Sequence, residues 1–572
     1  MSYPYSGLVL IERLAKQHQN KHPGLFQQGT FILNWRAKVG SFPHPDVETL
    51  VSAGEPCGSW KPETGRPEDK RNVGQNWDGF EALPLHGYIP AASIRGMVRA
   101  WVQGQSPELQ TRMEQLLGFQ RGNTIQAGKI VFLDAFPENP TQLSLDIVNP
   151  QQNFQVYHEG QSTPLSQYTL GDGHGAIPIR IAIRGIPGSK ITDDDVHEVW
   201  SWVERAINAL GVGSRTASGY GSITVPDSSI KPSAPTLFPG YASKQLSFKL
   251  YSQGNAGPYS KTMEFRPSHW RGWLRSWLLR FFLGVMTRAN AELTVTELMG
   301  GIEPETVKGK IRLKVLPGQI WGEKSEDEPY FYSWSGDLIL SAPQSASEPL
   351  LNEVILPILR MAVMLGGAGR GWRRPLHIFE MRNNNDNRWD SSRGSHLVVN
   401  HRVKPPNQDA MNKPFGLGVK PEDWQRIYGK WSEQIQSLYP DRYLAAGSGE
   451  NAESISPTTC SIYVVPGPQK EPIDRANHLW AVTDRFATRG DGMDLIYKPK
   501  YKRKAAVGGD AANGNAHCSW VSIKRISKPV DCQEVVCLFL GKNDRLRLNF
   551  LSDLANIDRA VYVFGKKPDR SD

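Results

Sequence analysis

The chain has 572 residues, too many for one compact core, so two to four domains are expected. A composition that is 39% hydrophobic and 22% charged, with 17 Trp, 18 Tyr and 20 Phe, excludes a disordered chain, and a formal charge of +9 suits a polyanionic partner. Five cysteines without a C-x-x-C pair argue against a zinc ribbon and a disulfide scaffold; the most apolar runs contain arginine and are shorter than a membrane span, so a cytoplasmic protein with no membrane contact is expected.

In chain order, FILNWRAKV (31–39) alternates as a strand and is followed by a long insertion at about 40–87. The segment YIPAASIRGMVRAW then reads as a short helix capped by Ser93, with Ile94, Met97, Val98, Trp101 and Val102 on its apolar face. Arg95 and Arg99 stand one turn apart on the other side, and Gly96 between them lets a ligand approach the backbone. A leucine-rich end and a Gly-Lys-Ile strand, GKIVFLDAF, follow. The helix DDDVHEVWSWVERAINAL then runs into a glycine-rich loop, 211–225, that carries Arg215 and Tyr220.

The same order then recurs. QLSFKLYSQ (245–253) is the strand, and EFRPSHWRGWLRSW repeats the helix, with Arg271, Gly272, Arg275 and Trp277 on the positions of Arg95, Gly96, Arg99 and Trp101. GKIRLKV, the helix EPLLNEVILPILRMAVML and a second glycine loop at 366–380, with Arg370, Trp372, Arg373 and Arg374, complete the copy. The order strand, loop, helix, strand, helix, glycine loop, strand predicts an α+β fold: tandem ferredoxin-like (RRM-like) domains with a long insertion, at 1–240 and 241–382. Residues 383–405 are polar and turn-rich and read as a linker or exposed loop. The C-terminal extension 406–572, with the helix EDWQRIYGKWSEQIQSLY and strands TCSIYVVP, CSWVSIKRI and CQEVVCLFLG, either completes the second unit or forms a degenerate third one.

Paired guanidinium groups one turn apart suit a phosphate backbone, and glycine loops beside arginine can cradle phosphates, with Tyr220 and Trp372 available for stacking on bases. A solvated helix face and ordinary helix caps are the bland alternatives, and the duplication weighs against them. Neither loop has the G-x-x-x-x-G-K-[ST] pattern, so a Walker-type nucleotide hydrolase is not indicated. The stretch from Tyr497 to His517 is basic with interleaved tyrosines and reads either as a single-strand contact or as a solvated loop.

These residues carry a resemblance. YIPAASIRGMVR, LLGF with GKIVFLDA, and LGVGSRTASGYGSI, in that order, resemble the motifs of the RAMP superfamily of type III CRISPR-Cas effector complexes. The duplication resembles fused two-unit backbone subunits, and HCSWVSIKRISKPVDCQEVVCLFLG resembles the distal-end subunit of type III-B complexes. The resemblance implies guide RNA and complementary target RNA as ligands, and other RAMP subunits and a large signalling subunit as partners. It also implies an endoribonuclease centre in the first unit: Asp78, in VGQNWDGFEALPLHGYIP, falls where the family places its catalytic Asp, although Gly-Phe follows in place of Asn-Pro.

Such a carboxylate would cleave target RNA with a divalent cation, expected to be Mg; Asp46 and Asp69 compete for the role, His44 and His86 would assist, and turn capping is the plain alternative. The corresponding loop of the second unit, GNAGPYSKTMEFRPSH, has no Asp, so that unit is expected to bind without cutting. Two further readings stay open: a non-catalytic structural subunit, and a stand-alone guide-RNA-processing endoribonuclease. The latter calls for a histidine near a glycine loop; neither loop has one among its glycines, and His377 reads as a strand residue.

Overall fold

The computed structural model describes residues 6–43, 50–53, 56–61, 66–67, 87–139, 141, 143–148, 156–157, 165–225, 238, 240–253, 264–301, 305–322, 330–344, 348–382, 385–403, 411–510, 517–528, 530–542 and 544–568. The chain divides into two compact units: 1–149 with 163–241 and 256–268, and 150–162 with 242–255 and 269–572.

In the first unit, strand β1 (Phe26–Leu33) is followed by helix α1 (Ala91–Val102), helix α2 (Pro107–Leu117), β2 (Ile130–Phe132), β3 (Leu143–Val148), β4 (Leu165–Leu170), β5 (Ile177–Gly185), helix α3 (Asp193–Leu210) and β6 (Ile223–Thr224). Its main sheet runs in the order β6, β1, β5, β2, with antiparallel neighbours throughout. Taking β1, β2, β5 and β6 as first to fourth strands, that order is fourth, first, third, second, which is the ferredoxin-like arrangement the sequence predicts. Strands β3 and β4 pair with each other in a separate sheet. The core is made where Phe31, Leu33, Ile179, Ile181 and Ile183 of the sheet are covered by Ile94, Val98 and Val102 of α1 and by Val196, Val199, Val203 and Ile207 of α3. Helix α3 starts with a capping box: the Thr192 hydroxyl accepts from the Asp195 amide at 3.2 Å, and Asp195 accepts from the Thr192 amide at 2.9 Å. Helix α1 begins two residues before the expected Ser93 cap. Asp134, which follows β2, accepts from the Ala91 amide at 2.8 Å, so a residue distant in sequence supplies the cap.

The second unit repeats this order with β7 (Tyr241–Ser252), helices α4 (Ser268–Leu283) and α5 (Arg288–Met299), β8 (Arg312–Trp321), β9 (Tyr332–Pro343), a π-helical run (Glu348–Ile355) tightening into α6 (Leu356–Ala362), β10 (His377–Arg382), β11 (Arg388–Arg393), β12 (Ser395–Val403) and β13 (Met411–Pro414). The sheet order is β8, β9, β7, β12, β13. The linker expected at 383–405 is therefore corrected: β10 and β11 form a hairpin, and β12 is the fourth ferredoxin strand, paired with β7 from Leu246↔His401 to Ser252↔Ser395. From Leu397 to Asn400 buried and half-buried positions alternate, a strand pattern that polar turn residues on its N-terminal side obscured.

The rest of the second unit holds helix α7 (Pro421–Leu438), β14 (Cys460–Pro466), α8 (Asp491–Tyr497), β15 (Val521–Ile526), β16 (Gln533–Phe539), α9 (Arg545–Ala555) and β17 (Val561–Gly565). The order β15, β16, β14, β17 gives a third strand-helix-strand-strand-helix-strand sheet with the same fourth-first-third-second logic. It has a core of its own in Val465, Met493, Ile496, Val521, Ile523, Val536, Leu538, Phe550 and Leu554, and it belongs to the same compact unit as the second sheet. Among the described residues no helix is long and apolar enough to cross a membrane.

Candidate nucleic-acid interface

The repeated helices use their arginines identically in both units. Arg95 donates to the Leu117 carbonyl at 2.5 Å and Arg99 to the Gly118 carbonyl at 2.7 Å; Arg271 donates to the Met299 carbonyl and Arg275 to the Gly300 carbonyl at 2.9 Å. The last carbonyls of a helix have no partner within it, and cations there also meet the favourable end of its dipole. The pair therefore caps the following helix, α2 or α5. The glycines capped this way have φ of +76° and +84°, and a Cβ at Gly118 would meet the Gln126 oxygen and the Gly128 nitrogen at 2.5 Å.

The two copies differ in what the arginines have left over. Arg95 is exposed and Arg99 half-buried, on a helix where a Cβ added at Gly96 would touch nothing within 4 Å. A guanidinium has five N–H donors, so a single carbonyl contact leaves Arg95 able to hold a phosphate. In the second unit burial pulls the Arg271 guanidinium down to about 10, with Arg275 adding to the effect, and burial lowers Arg275 as well.

The first glycine loop is held by backbone hydrogen bonds, one within the loop and two to the segment after β1. The Val212 amide donates to Gly221 at 2.9 Å, the Gly221 amide to Arg36 at 2.8 Å and the Ser214 amide to Lys38 at 2.7 Å, so these three amides are already committed to carbonyls. Gly221 sits at φ +64° with the Val212 oxygen 1.9 Å from where a Cβ would stand. Arg215 is exposed and held in the left-handed region at φ 54°. Tyr220 is 3% exposed and its hydroxyl donates to Asp146 at 2.5 Å, so it presents no face for stacking on a base.

Tyr220 reports on a buried charge cluster that the sequence reading did not single out. Glu264 accepts from the Arg36 Nε at 2.7 Å, from the Trp35 Nε1 at 2.6 Å and from the Arg266 Nη1 at 3.1 Å, and Asp146 on β3 accepts from the Arg266 Nη2 at 2.7 Å. Arg36, Asp146, Glu264 and Arg266 are all at most 5% exposed, and their two positive and two negative charges cancel. Burial alone would raise the Asp146 carboxyl, but Arg266 and Arg36 hold it below its ordinary value. The available signal was the charged pair of EFRP directly before the repeated helix, which has no equivalent in the YIPA of the first copy.

In the second glycine loop Arg370 is exposed, while Trp372 and Arg373 are 8% and 7% exposed. Arg373 and Arg280 share Glu453, whose Oε2 accepts from the Arg280 Nε at 2.8 Å; Trp372 meets Trp277 edge to face at 5.5 Å and lies under the Arg280 guanidinium at 5.0 Å. Arg374 donates to Ser519 Oγ at 2.7 Å and to the Val521 carbonyl, and burial pulls it down to about 10. The Ile523 amide of the third sheet's edge strand donates to the Arg373 carbonyl at 2.9 Å. Expected as RNA contacts, Tyr220, Trp372 and Arg373 are thus packed inside their units, and Arg374 is half-buried with its guanidinium committed to the third sheet, because that sheet and the charge clusters fill the space the loops would have offered.

Asp78, Asp46 and Asp69, with His44 and His86, lie outside the described residues. Among the described residues no group of three or more His, Cys, Asp or Glu is placed to hold a metal ion. His377 begins β10 as the sequence suggested; its Nδ1–H donates to the Pro375 carbonyl at 2.8 Å, and Nε2 accepts from the Tyr497 hydroxyl at 3.0 Å.

A search of curated proteins returns no match. Among solved structures, the chain is similar to the crystal structure of Cmr1 from Pyrococcus furiosus in its apo form, at 12% identity over 56% of this chain and 99% of that one, with a TM-score of 0.29. That likeness is too slight to support an argument. Residues 86–224, from the entry to helix α1 through the first glycine loop, match the family model of the RAMP superfamily.

Proposed function

We propose that the chain is an RNA-binding subunit of a type III CRISPR-Cas effector complex, in antiviral defence, and that its first unit holds guide RNA by the phosphate backbone. The observation that carries this reading is a coincidence of place: the stretch that matches the RAMP superfamily contains the exposed Arg95 beside an open Gly96, and Arg215 displayed at the tip of the glycine loop. Those groups read charge and shape, leaving sequence to base pairing between guide and target. Copurification tests the proposal directly. A short RNA of uniform length and several RAMP partners should accompany the protein, and a preparation free of both would overturn it.

The finer reading adds metal-dependent cleavage of target RNA at Asp78, which rests on the sequence resemblance alone. Its test is the assembled complex carrying Asp78→Ala, with Asp46→Ala and Asp69→Ala beside it. Unchanged cuts at every position in all three would leave a structural, non-cutting subunit.

A further inference from the structure

A second face, in the second unit, is built from the hairpin β10–β11 and from residues 485–503. Cations and rings alternate across it. The Arg393 guanidinium lies 4.0 Å from the centroid of Phe379, whose ring is 6.1 Å from that of Tyr497. Arg489 bridges Tyr497 at 4.4 Å and Phe486 at 5.7 Å, and the Lys502 ammonium lies 5.5 Å over Tyr497. Phe486 is 59% exposed, and Arg393, Lys502 and Arg503 are exposed. Arg503 is held at φ 56°, a left-handed conformation rare for a side chain of this size.

Charge pairing separates this face from an ordinary solvated surface. Nearby cations are neutralised: Arg485 pairs with Glu380, and Lys500 with Asp553. Asp494 and Glu380 act on Arg489 and Lys502 at longer range, and Arg393, Arg489 and Arg503 repel Lys502. Among the described residues none of Arg393, Arg489, Lys502 and Arg503 forms an ion pair with a carboxylate. Arg393, Arg489 and Lys502 lie against aromatic rings, although mutual repulsion would drive exposed side chains apart.

We infer that this face binds single-stranded RNA, with phosphates drawn to Arg393, Arg489, Lys502 and Arg503 and an unpaired base stacked on Phe486. An acidic peptide would answer the charge and leave an exposed phenyl ring unused; a base presents a π-face of matching size to it, and its phosphate follows within reach of the cations. Duplex RNA keeps its bases stacked on each other and offers none to the ring. The contact is independent of the helix arginines of the first unit, so the two readings can fail separately.

The full chain, freed of copurifying nucleic acid, is titrated with a fluorescent oligouridine over a salt series, against a blunt RNA hairpin and a poly-glutamate competitor. Phe486→Ala should weaken oligouridine binding roughly five- to 150-fold, the range of one lost base stack. Arg393→Ala with Lys502→Ala and Arg503→Ala should flatten the dependence of log K on log salt by about 2, at roughly 0.7 for each phosphate contact. All four residues are exposed, so melting temperatures should not change, and Arg393→Lys should keep most of the affinity. Both variants binding oligouridine like the wild type would overturn the inference. So would a hairpin that binds as well as the single strand with no effect of Phe486→Ala, or poly-glutamate that displaces the probe and depends on the same residues.

Discussion

Replacing Glu264 by Gln removes one negative charge from a cluster that is neutral as it stands. Three side chains converge on this carboxylate, Arg36 through two nitrogens and Trp35 and Arg266 through one each, and neither Arg36 nor Glu264 is more than 1% exposed, so solvent cannot take over the lost pairing. Breaking a buried ion pair by removing one partner costs about 3–5 kcal/mol, because the surviving charge stays desolvated. For a unit of this size each kcal/mol shifts the melting temperature by about 2–4 °C, so Glu264→Gln should melt roughly 6–20 °C below the wild type in calorimetry. A second variant isolates the cause. Glu264→Gln with Arg266→Met removes more native hydrogen bonds yet leaves Arg36 and Asp146, 3.8 Å apart, in balance. It should melt above the single variant. If the double variant is the less stable of the two, or if Glu264→Gln melts within a degree of the wild type, charge balance is not what the cluster provides.

Gly96→Ala should act with opposite signs on two properties: an open site in a helix interior gains about 1 kcal/mol of stability, while RNA affinity falls if the backbone approaches there, so unchanged affinity counts against a close approach. Arg95→Ala with Arg99→Ala should lower guide retention, and the salt dependence of log K, measured by filter binding, should flatten by roughly 1 for each phosphate that no longer meets a guanidinium. Arg271→Ala with Arg275→Ala removes partners from the Met299 and Gly300 carbonyls and should cost about 1–3 kcal/mol for each, read by denaturant unfolding, with a smaller effect on RNA. Burial pulls the His377 imidazole down to about 3, helped by Arg489, Arg374 and Arg393. Its unfolded form takes up a proton below about 6.5 while the folded form stays neutral, so the second unit should lose about 1.4 kcal/mol for each pH unit from about 6 toward 3. His377→Phe should flatten that slope in pH-dependent melting; an unaltered slope would assign it to other groups, His396 first, whose burial lowers it in the same way.

Local pattern determined much of this protein. The period of apolar residues in DDDVHEVWSWVERAINAL and EDWQRIYGKWSEQIQSLY placed one helix to the residue and the other to within one residue at each end, and the duplicated Arg-Gly-x-x-Arg with its glycine loop identified the ferredoxin-like repeat. What the sequence could not carry was depth. Arg373 and Arg374 read as cations beside glycine, and only the docking of the third sheet against the loop buries the first and ties down the second. The Ser93 cap failed because Asp134 reaches α1 from beyond β2, and β12 looked like a linker because a strand is stabilised by its partner, here β7, more than by its own propensity. Side-chain type is local and so legible in order along the chain; whether an arginine faces water, a carbonyl or a carboxylate depends on residues brought together from far apart, and tertiary structure alone decides that.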